Sequence, residues 1–157
     1  MQRAERSIRV NAPVDQVYRF WRNFENFPRF MDHVEEVRSL DAEGRLSHWK
    51  LKGGMGVTVE FDARLTQDEP GRAIGWNSTE GSLQTSGAVT FTDLQNGYTE
   101  VHVVMQWYDP PGGPVGEFLS RLLQNPERML EEDLQRFKKI VESAVGTAAH
   151  QSHPTHP

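Results

Sequence analysis

The chain has 157 residues, a length typical of one domain. Its 17 basic and 22 acidic residues give a formal net charge of −5 without a basic run of five or more, which argues against nucleic acid as the main partner. The absence of cysteine excludes disulfides, thiolate catalysis and cysteine-based metal sites. No apolar run reaches the ~18 residues of a membrane span and no signal peptide is visible, so we expect a cytoplasmic protein without an integral membrane segment.

The N-terminal region predicts one strand followed by two short helices. Apolar and polar residues alternate over residues 2–11, which indicates a strand. Pro13 suits the first turn of a helix, where its missing N–H costs nothing, and apolar residues recur at helical spacing up to Trp21. A second short helical segment, interrupted by Pro28 and rich in phenylalanine, is predicted over residues 23–31.

Beyond residue 33 the apolar spacing changes to two, the period of half-buried strands. The clearest alternation lies in residues 57–65, and turn signals such as Pro70-Gly71 and Asn96-Gly97 separate the segments. In the first segment the apolar residues are three apart, which points to an irregularity. The sequence therefore predicts six further strands, over residues 34–40, 45–52, 57–65, 73–78, 86–94 and 98–108.

A long amphipathic helix is predicted at the C-terminal end. It begins near Val115 and restarts at Asn125-Pro126, because Asn is a good N-cap and Pro fits the first turn. Its apolar stripe consists of Leu130, Leu134, Phe137, Val141 and Val145. Residues 146–157 are small and polar, which predicts a disordered tail and a domain over residues 1–145. Because strands and helices do not alternate, the order indicates an α+β fold rather than a parallel α/β sheet.

Three stretches carry a resemblance to a known superfamily. They are Val10-Asn11-Ala12-Pro13 with Val17-Tyr18, Trp21 and residues 23–31; Trp76-Asn77-Ser78 with Gly81, Gly87, Val89 and Phe91; and Thr99 and Val101 with residues 108–113, Asp133-Leu134 and Phe137-Lys138. In order and spacing they resemble the START/polyketide cyclase–dehydrase (SRPBCC, helix-grip) superfamily, and within it the bacterial coenzyme Q-binding and cyclase-like branch. The resemblance covers residues 4–143.

This resemblance implies a curved antiparallel sheet of about six or seven strands wrapped around the long C-terminal helix, with two short helices after strand 1. It also implies a deep apolar cavity between the sheet and that helix. The superfamily includes lipid carriers, quinone binders, aromatase/cyclases and ring-hydroxylating subunits, so the fold alone does not choose among these functions.

Large aromatic residues supply candidates for the wall of such a cavity. The predicted ligand-contacting residues are Phe30, Met31, Trp49, Phe61, Trp76, Phe91, Trp107, Phe118 and Leu122. A flat or polyisoprenoid-like ligand buried against them would gain about 25 cal/mol per Å². The same residues also suit an ordinary packed core. Residues 24–31 and 53–56 are candidate moving lips of the cavity, or alternatively a permanent cap and a tight corner.

Candidate catalytic and metal-binding groups are few. His48 and His102 alternate with apolar neighbours and are predicted to face solvent, whereas the position of His33 is left open. Three histidines of the predicted tail, at 150, 153 and 156, lack an accompanying carboxylate or cysteine. We therefore predict no catalytic residue, no metal and no cofactor.

Three functions of different classes are consistent with these patterns. The first is non-catalytic binding or carriage of a hydrophobic small molecule, such as a quinone, a lipid or a polycyclic aromatic. The second is a cyclase/dehydrase-type enzyme, with Tyr18, Tyr98 and Arg72 as the candidate polar groups. The third is a protein-interaction module with a protein partner or a homodimer. The many aromatic residues and the few buried polar candidates favour the first.

Overall fold

The computed structural model describes residues 2–52, 58–108 and 113–151, without the side chains at 114, 115, 118, 119, 122 and 146–151. Its strands are β1 (Gln2–Val10), β2 (Val34–Ser39), β3 (Leu46–Lys52), β4 (Thr58–Glu69), β5 (Ala73–Gly81), β6 (Thr85–Gln95) and β7 (Tyr98–Trp107). Its helices are α1 (Val14–Arg22), a 3-10 helix (Phe24–Arg29), α2 (Gly113–Leu122) and α3 (Pro126–Gln151). The candidate lip at residues 53–56 lies outside the described residues.

The seven strands form one antiparallel sheet in the order β1-β7-β6-β5-β4-β3-β2. The alternation predicted for β4 is confirmed, because Val59, Phe61, Ala63 and Leu65 are buried and the residues between them are not. β7 follows the same rule, with its apolar residues at the odd positions 101–107 buried. The sheet curls around the C-terminal helix, so the predicted α+β helix-grip arrangement is confirmed.

α3 packs its apolar stripe onto the concave face of the sheet. Leu130, Leu134, Phe137 and Val141 are buried, and Val145 is partly buried. Each fully buried Leu or Phe contributes about 1.5–3 kcal/mol relative to an exposed side chain, so the stripe fixes the helix on the sheet. At the edge of the sheet, the Arg6 guanidinium on β1 lies 3.0 Å from the Glu127 carboxylate of α3. The stripe predicted from the sequence is thus confirmed.

The two short helices after β1 close one end of the core. The Pro13 carbonyl accepts the N–H groups of Gln16 and Val17, each at 3.1 Å, which starts α1 immediately after the proline. The Asn23 side chain accepts the Glu25 N–H at 3.2 Å and starts the 3-10 helix. The buried aromatic residues of these helices are Trp21, Phe24 and Phe27.

β2 is an edge strand with two local features. Val34 and Val37 are both buried although they are three residues apart, because the register to β3 shifts between Val34 and Glu36. The predicted irregularity is therefore confirmed. At the other end of the strand, the Ser39 N–H donates to a carboxylate oxygen of Glu25 at 3.0 Å, so this edge N–H is already paired.

The backbone of α3 continues to Gln151, beyond the predicted end of the domain at residue 145. In this continuation Ala148 and Ala149 favour a helix, whereas Gly146 and Thr147 do not. Residues 152–157 lie outside the described part of the chain, and the domain limits remain a prediction.

Candidate ligand-binding site

A cavity lies on the concave face of the sheet, beside the segment that leads from the 3-10 helix into β2. The described residues enclose about 20 Å³, which is room for one water molecule. Five residues predicted to contact a ligand line it: Met31, Trp49, Phe61, Trp76 and Trp107. The other lining residues are His33, Val34, Leu51, Leu83, Thr85 and Met105. The site is therefore mostly apolar, with a few polar atoms in its wall.

Three of the lining rings form a stack across neighbouring strands. Trp49 on β3 and Phe61 on β4 are direct cross-strand partners, and their ring centroids are 5.4 Å apart with planes 22° from parallel. Trp76 on β5 continues the stack, 6.2 Å from Trp49 at an interplanar angle of 23°. Stacked rings of this kind give this part of the cavity wall flat apolar surfaces.

Gly87 on β6 allows Trp76 to lie against the sheet. The two residues are cross-strand partners, and a Cβ atom at position 87 would come within 2.2 Å of the Trp76 ring. No side chain larger than hydrogen fits there while Trp76 keeps its orientation. The glycine therefore fixes the position of the indole in the cavity wall.

The other predicted ligand-contacting residues lie elsewhere. Phe30 packs in an aromatic cluster with Trp21 and Phe137, at centroid distances of 5.1 and 5.6 Å, and does not line this cavity. Phe91 is buried near the other end of the sheet and contacts Tyr18 edge-on at 6.0 Å. For these two the geometry is that of a packed core. The side chains of Phe118 and Leu122 lie outside the described residues.

Polar atoms in the cavity wall divide into paired and unpaired ones. Trp49 Nε1 donates to the Ser47 hydroxyl at 2.9 Å, and the Thr85 hydroxyl donates to a backbone carbonyl at 2.7 Å. In contrast, Trp76 Nε1 and His33 Nδ1 are buried and have no hydrogen-bond partner among the described residues. Buried polar groups without partners are uncommon in native proteins, so both atoms call for an explanation.

A buried carboxylate lies behind His33. Asp133 on α3 is 2% exposed, and its Oδ2 lies 3.9 Å from His33 Nδ1. The Arg136 guanidinium donates to the other oxygen of Asp133 and, at 2.9 Å, to the Phe30 carbonyl. This arrangement ties α3 to the segment that precedes β2.

Burial controls the protonation of both groups. It raises the pKa of Asp133 to about 7, although Arg136 opposes this effect by stabilising the carboxylate. Burial also lowers the pKa of His33 to about 4, so its imidazole is neutral at pH 7. Asp133 was not predicted as a functional residue, but one signal pointed to it, because it falls three residues after Leu130 on the apolar face of α3.

The remaining polar candidates lie away from the cavity. His48 bonds Glu60 and Asp62 at 2.8 and 2.6 Å, and His102 bonds Glu5 and Ser7, both at 2.6 Å. Both histidines lie on the polar face of the sheet, as predicted. Tyr18 donates to Asp68, the Tyr98 ring lies 4.5 Å below the Arg9 guanidinium, and Arg72 is exposed. None of these three enzyme candidates lines the cavity.

A wider polar groove of about 550 Å³ separates α1 from the β2–β3 hairpin. Its central cation, Arg22, donates to the Asp68 carboxylate and to the carbonyls of Glu43 and Gly44. These hydrogen bonds link α1 to β4 and to the β2–β3 hairpin.

The described residues contain neither a metal-binding cluster nor a membrane-spanning helix. Within residues 2–52, 58–108 and 113–151, no group of three or more histidine and carboxylate side chains is arranged to hold a metal ion. Of the helices described, none has the length and apolar character required to cross a membrane.

Comparisons with known proteins identify relatives over nearly the whole chain. A 17.2 kDa uncharacterized protein of Streptomyces lincolnensis is 35% identical over 143 residues, which cover 90% of this chain and 91% of the relative. Among solved structures, a Deinococcus radiodurans protein is 28% identical with a TM-score of 0.72, covering 91% of this chain and 99% of its own.

More distant structures share the fold. The Zhui aromatase/cyclase of a Streptomyces species has a TM-score of 0.70 at 19% identity, covering 92% of this chain and 95% of its own. A START superfamily protein of Mycobacterium smegmatis has a TM-score of 0.67 at 15% identity, with coverages of 92% and 99%. Residues 10–136 match the family described as polyketide cyclase / dehydrase and lipid transport. The chain therefore belongs to the polyketide cyclase/dehydrase and lipid transport family.

Proposed function

We propose that this protein binds or carries a hydrophobic small molecule in the cavity on the concave face of its sheet. The observation that carries the proposal is the stack of Trp49, Phe61 and Trp76 in the cavity wall. A flat aromatic or quinone-like ring can extend such a stack and bury apolar area at about 25 cal/mol per Å². Membership of a family that includes lipid transport supports the same function.

The cavity must open for such a ligand to enter. Sites for small organic ligands have volumes of about 300 Å³ or more, whereas the described residues enclose about 20 Å³. Met31 lines the cavity at the segment before β2, and its unbranched side chain can change rotamer at little cost. Binding therefore requires a displacement of side chains, and the ligand supplies the free energy for it.

Native mass spectrometry of the purified protein, followed by solvent extraction, tests this proposal. We expect one apolar molecule per chain, or stoichiometric uptake of an apolar dye by protein that has been stripped of ligand. If neither a quinone, a fatty acid nor an apolar dye binds, the aromatic residues only fill a core and the proposal fails.

A pair of matched variants assigns the binding to this cavity. Leu83→Trp places a larger side chain in the cavity wall, whereas Leu94→Trp makes the same change on an exposed residue of β6. Leu83→Trp should abolish dye uptake at a cost of about 1–3 kcal/mol in stability from overpacking, and Leu94→Trp should leave uptake unchanged. Thermal unfolding of both variants verifies that they are folded. Equal uptake by the two variants would place the ligand elsewhere.

A cyclase/dehydrase-type enzyme is the second candidate function, and one observation favours it. His33 lines the cavity, is neutral at pH 7 and lies 3.9 Å from Asp133, so the pair can accept and release a proton next to a bound substrate. His33→Gln would then abolish turnover of a keto substrate while leaving its binding intact. Unchanged turnover in this variant would refute the role of His33.

The alternative of a protein-interaction module or a homodimer stays a prediction. Size-exclusion chromatography with light scattering measures the mass in solution, and a monomer that binds dye would favour the carrier.

A further inference from the structure

We propose that the ligand carries a hydroxyl group, of the phenol or alcohol type, which hydrogen-bonds to both Trp76 Nε1 and His33 Nδ1. This inference rests on the proposed function and specifies the chemical class of its ligand. The two atoms are buried, belong to residues that line the same cavity, and have no partner among the described residues.

The neighbouring indole N–H group, that of Trp49, does have a hydrogen-bond partner. Trp49 lies in the same ring stack as Trp76, and its Nε1 donates to the Ser47 hydroxyl at 2.9 Å. No described residue does the same for Trp76. A ligand oxygen beside Trp76 Nε1 would supply the acceptor that the described side chains do not provide, and such a hydrogen bond favours binding.

The orientation of the Trp76 donor is fixed before a ligand binds. Gly87 leaves the space that the indole occupies, with only 2.2 Å between the ring and the position a Cβ atom would take. The stack with Trp49 restrains the ring further. A donor held in place by its surroundings loses little conformational entropy on binding, which increases its contribution to affinity.

The protonation chemistry of the two nitrogens selects a hydroxyl. An indole N–H can only donate, whereas neutral imidazole Nδ1 donates in one tautomer and accepts in the other. A hydroxyl oxygen can accept from Trp76 while its proton is donated to His33 Nδ1, or it can accept from both. A carbonyl or an ether oxygen satisfies only the second arrangement. The enclosed volume of about 20 Å³ has the size of one such oxygen.

Competition binding with three related probes tests the inference. The probes are 2-naphthol, 2-methoxynaphthalene and naphthalene, each displacing an apolar dye from ligand-stripped protein. We expect 2-naphthol to bind at least about tenfold more tightly than naphthalene, because the hydroxyl gains two hydrogen bonds. A hydroxyl buried without partners would instead weaken binding, so the sign of the difference is decisive.

Three variants connect the preference to the proposed atoms. Trp76→Phe and His33→Phe each remove one partner and should reduce the preference for 2-naphthol over naphthalene to about threefold or less. The ratio of the two affinities is compared within each variant, because a change in apolar contact affects both probes. His33→Leu, which also removes the hydrogen-bonding group, serves as a second variant if His33→Phe does not fold. Trp21→Phe is the matched control, because Trp21 Nε1 is also buried and unpaired but Trp21 does not line this cavity. It should keep the full preference.

The outcomes separate this inference from the proposed function. Equal binding of naphthalene and 2-naphthol, or a preference that survives both Trp76→Phe and His33→Phe, overturns the hydroxyl inference while the cavity still binds apolar ligands. Binding of neither the dye nor any probe overturns the proposed function and this inference with it.

Discussion

Replacing Asp133 with asparagine tests whether this buried side chain holds a proton in the folded protein near neutral pH. Burial raises the pKa of Asp133 from 3.8 to about 7, against the opposing effect of Arg136. Because the folded state then binds an additional proton between these two pH values, the free energy of unfolding falls as the pH rises through this window. At about 1.36 kcal/mol per pH unit, the full loss is about 4 kcal/mol.

Asp133→Asn should remove this dependence, because an amide has no proton to release. Urea unfolding of the wild type and the variant between pH 5 and pH 8 gives the difference between their unfolding free energies at each pH, in which the contributions of the other titrating groups cancel. We expect the stability of the variant relative to the wild type to rise by about 3 kcal/mol over this range. Glu132→Gln, on the exposed side of the same helix, makes the same acid-to-amide change outside the core and is the control with which the Asp133 result is compared.

One result would refute the reasoning about Asp133. A flat difference for Asp133→Asn between pH 5 and pH 8 would show that the carboxyl group does not titrate in this window, as expected if the ion pair with Arg136 outweighed burial and lowered the pKa of Asp133.

Two further changes probe the sheet. Gly87→Ala should cost about 1–3 kcal/mol in unfolding free energy and alter tryptophan fluorescence, because the added methyl group displaces Trp76; a silent substitution would contradict the close packing seen here. His48→Gln tests the hydrogen bonds to Glu60 and Asp62, which raise the pKa of His48. The stability that protonated His48 contributes through these bonds is fully present below pH 6.5 and is lost as the pH rises through the raised pKa. The free energy of unfolding of this variant should approach that of the wild type at alkaline pH. A difference in unfolding free energy that grows at alkaline pH would contradict a raised pKa of His48.

The order of elements could be predicted because each element has a local signal. The alternation in β4 fixes which of its residues face the core, and the stripe on α3 fixes which face of the helix packs on the sheet. Both signals depend on periods of two and 3.6 residues that the backbone geometry imposes. The curvature of the sheet and the path of the last helix were predicted from the family resemblance, because no local sequence pattern indicates them.

The composition of the cavity wall could be predicted only in part. A period of two shows which face of a strand is buried, but it does not show where along the strand a gap lies. Phe91 therefore shares its face with residues of the core yet contacts Tyr18 rather than the cavity. Phe30 was expected at the mouth, but its ring packs against Trp21 and Phe137, which come from distant parts of the chain.

The polar part of the site could not be predicted from spacing. His33 and Asp133 are separated by about a hundred positions in the sequence, and they approach each other only because α3 crosses the sheet beside the start of β2. The same holds for Trp76, whose missing hydrogen-bond partner becomes visible only when every neighbour is known.

The hydrogen bond between Glu25 and the Ser39 N–H has a consequence for how copies of this protein meet. A sheet edge with free N–H groups can accept a strand from another molecule, which leads to chain-to-chain sheet growth. At this end of β2 the carboxylate already takes the place of such a strand, and its negative charge repels the carbonyl oxygens of an incoming backbone. A second copy that added its own strand at this point would have to displace Glu25 first, so a side chain from the preceding 3-10 helix shields this N–H group from another chain.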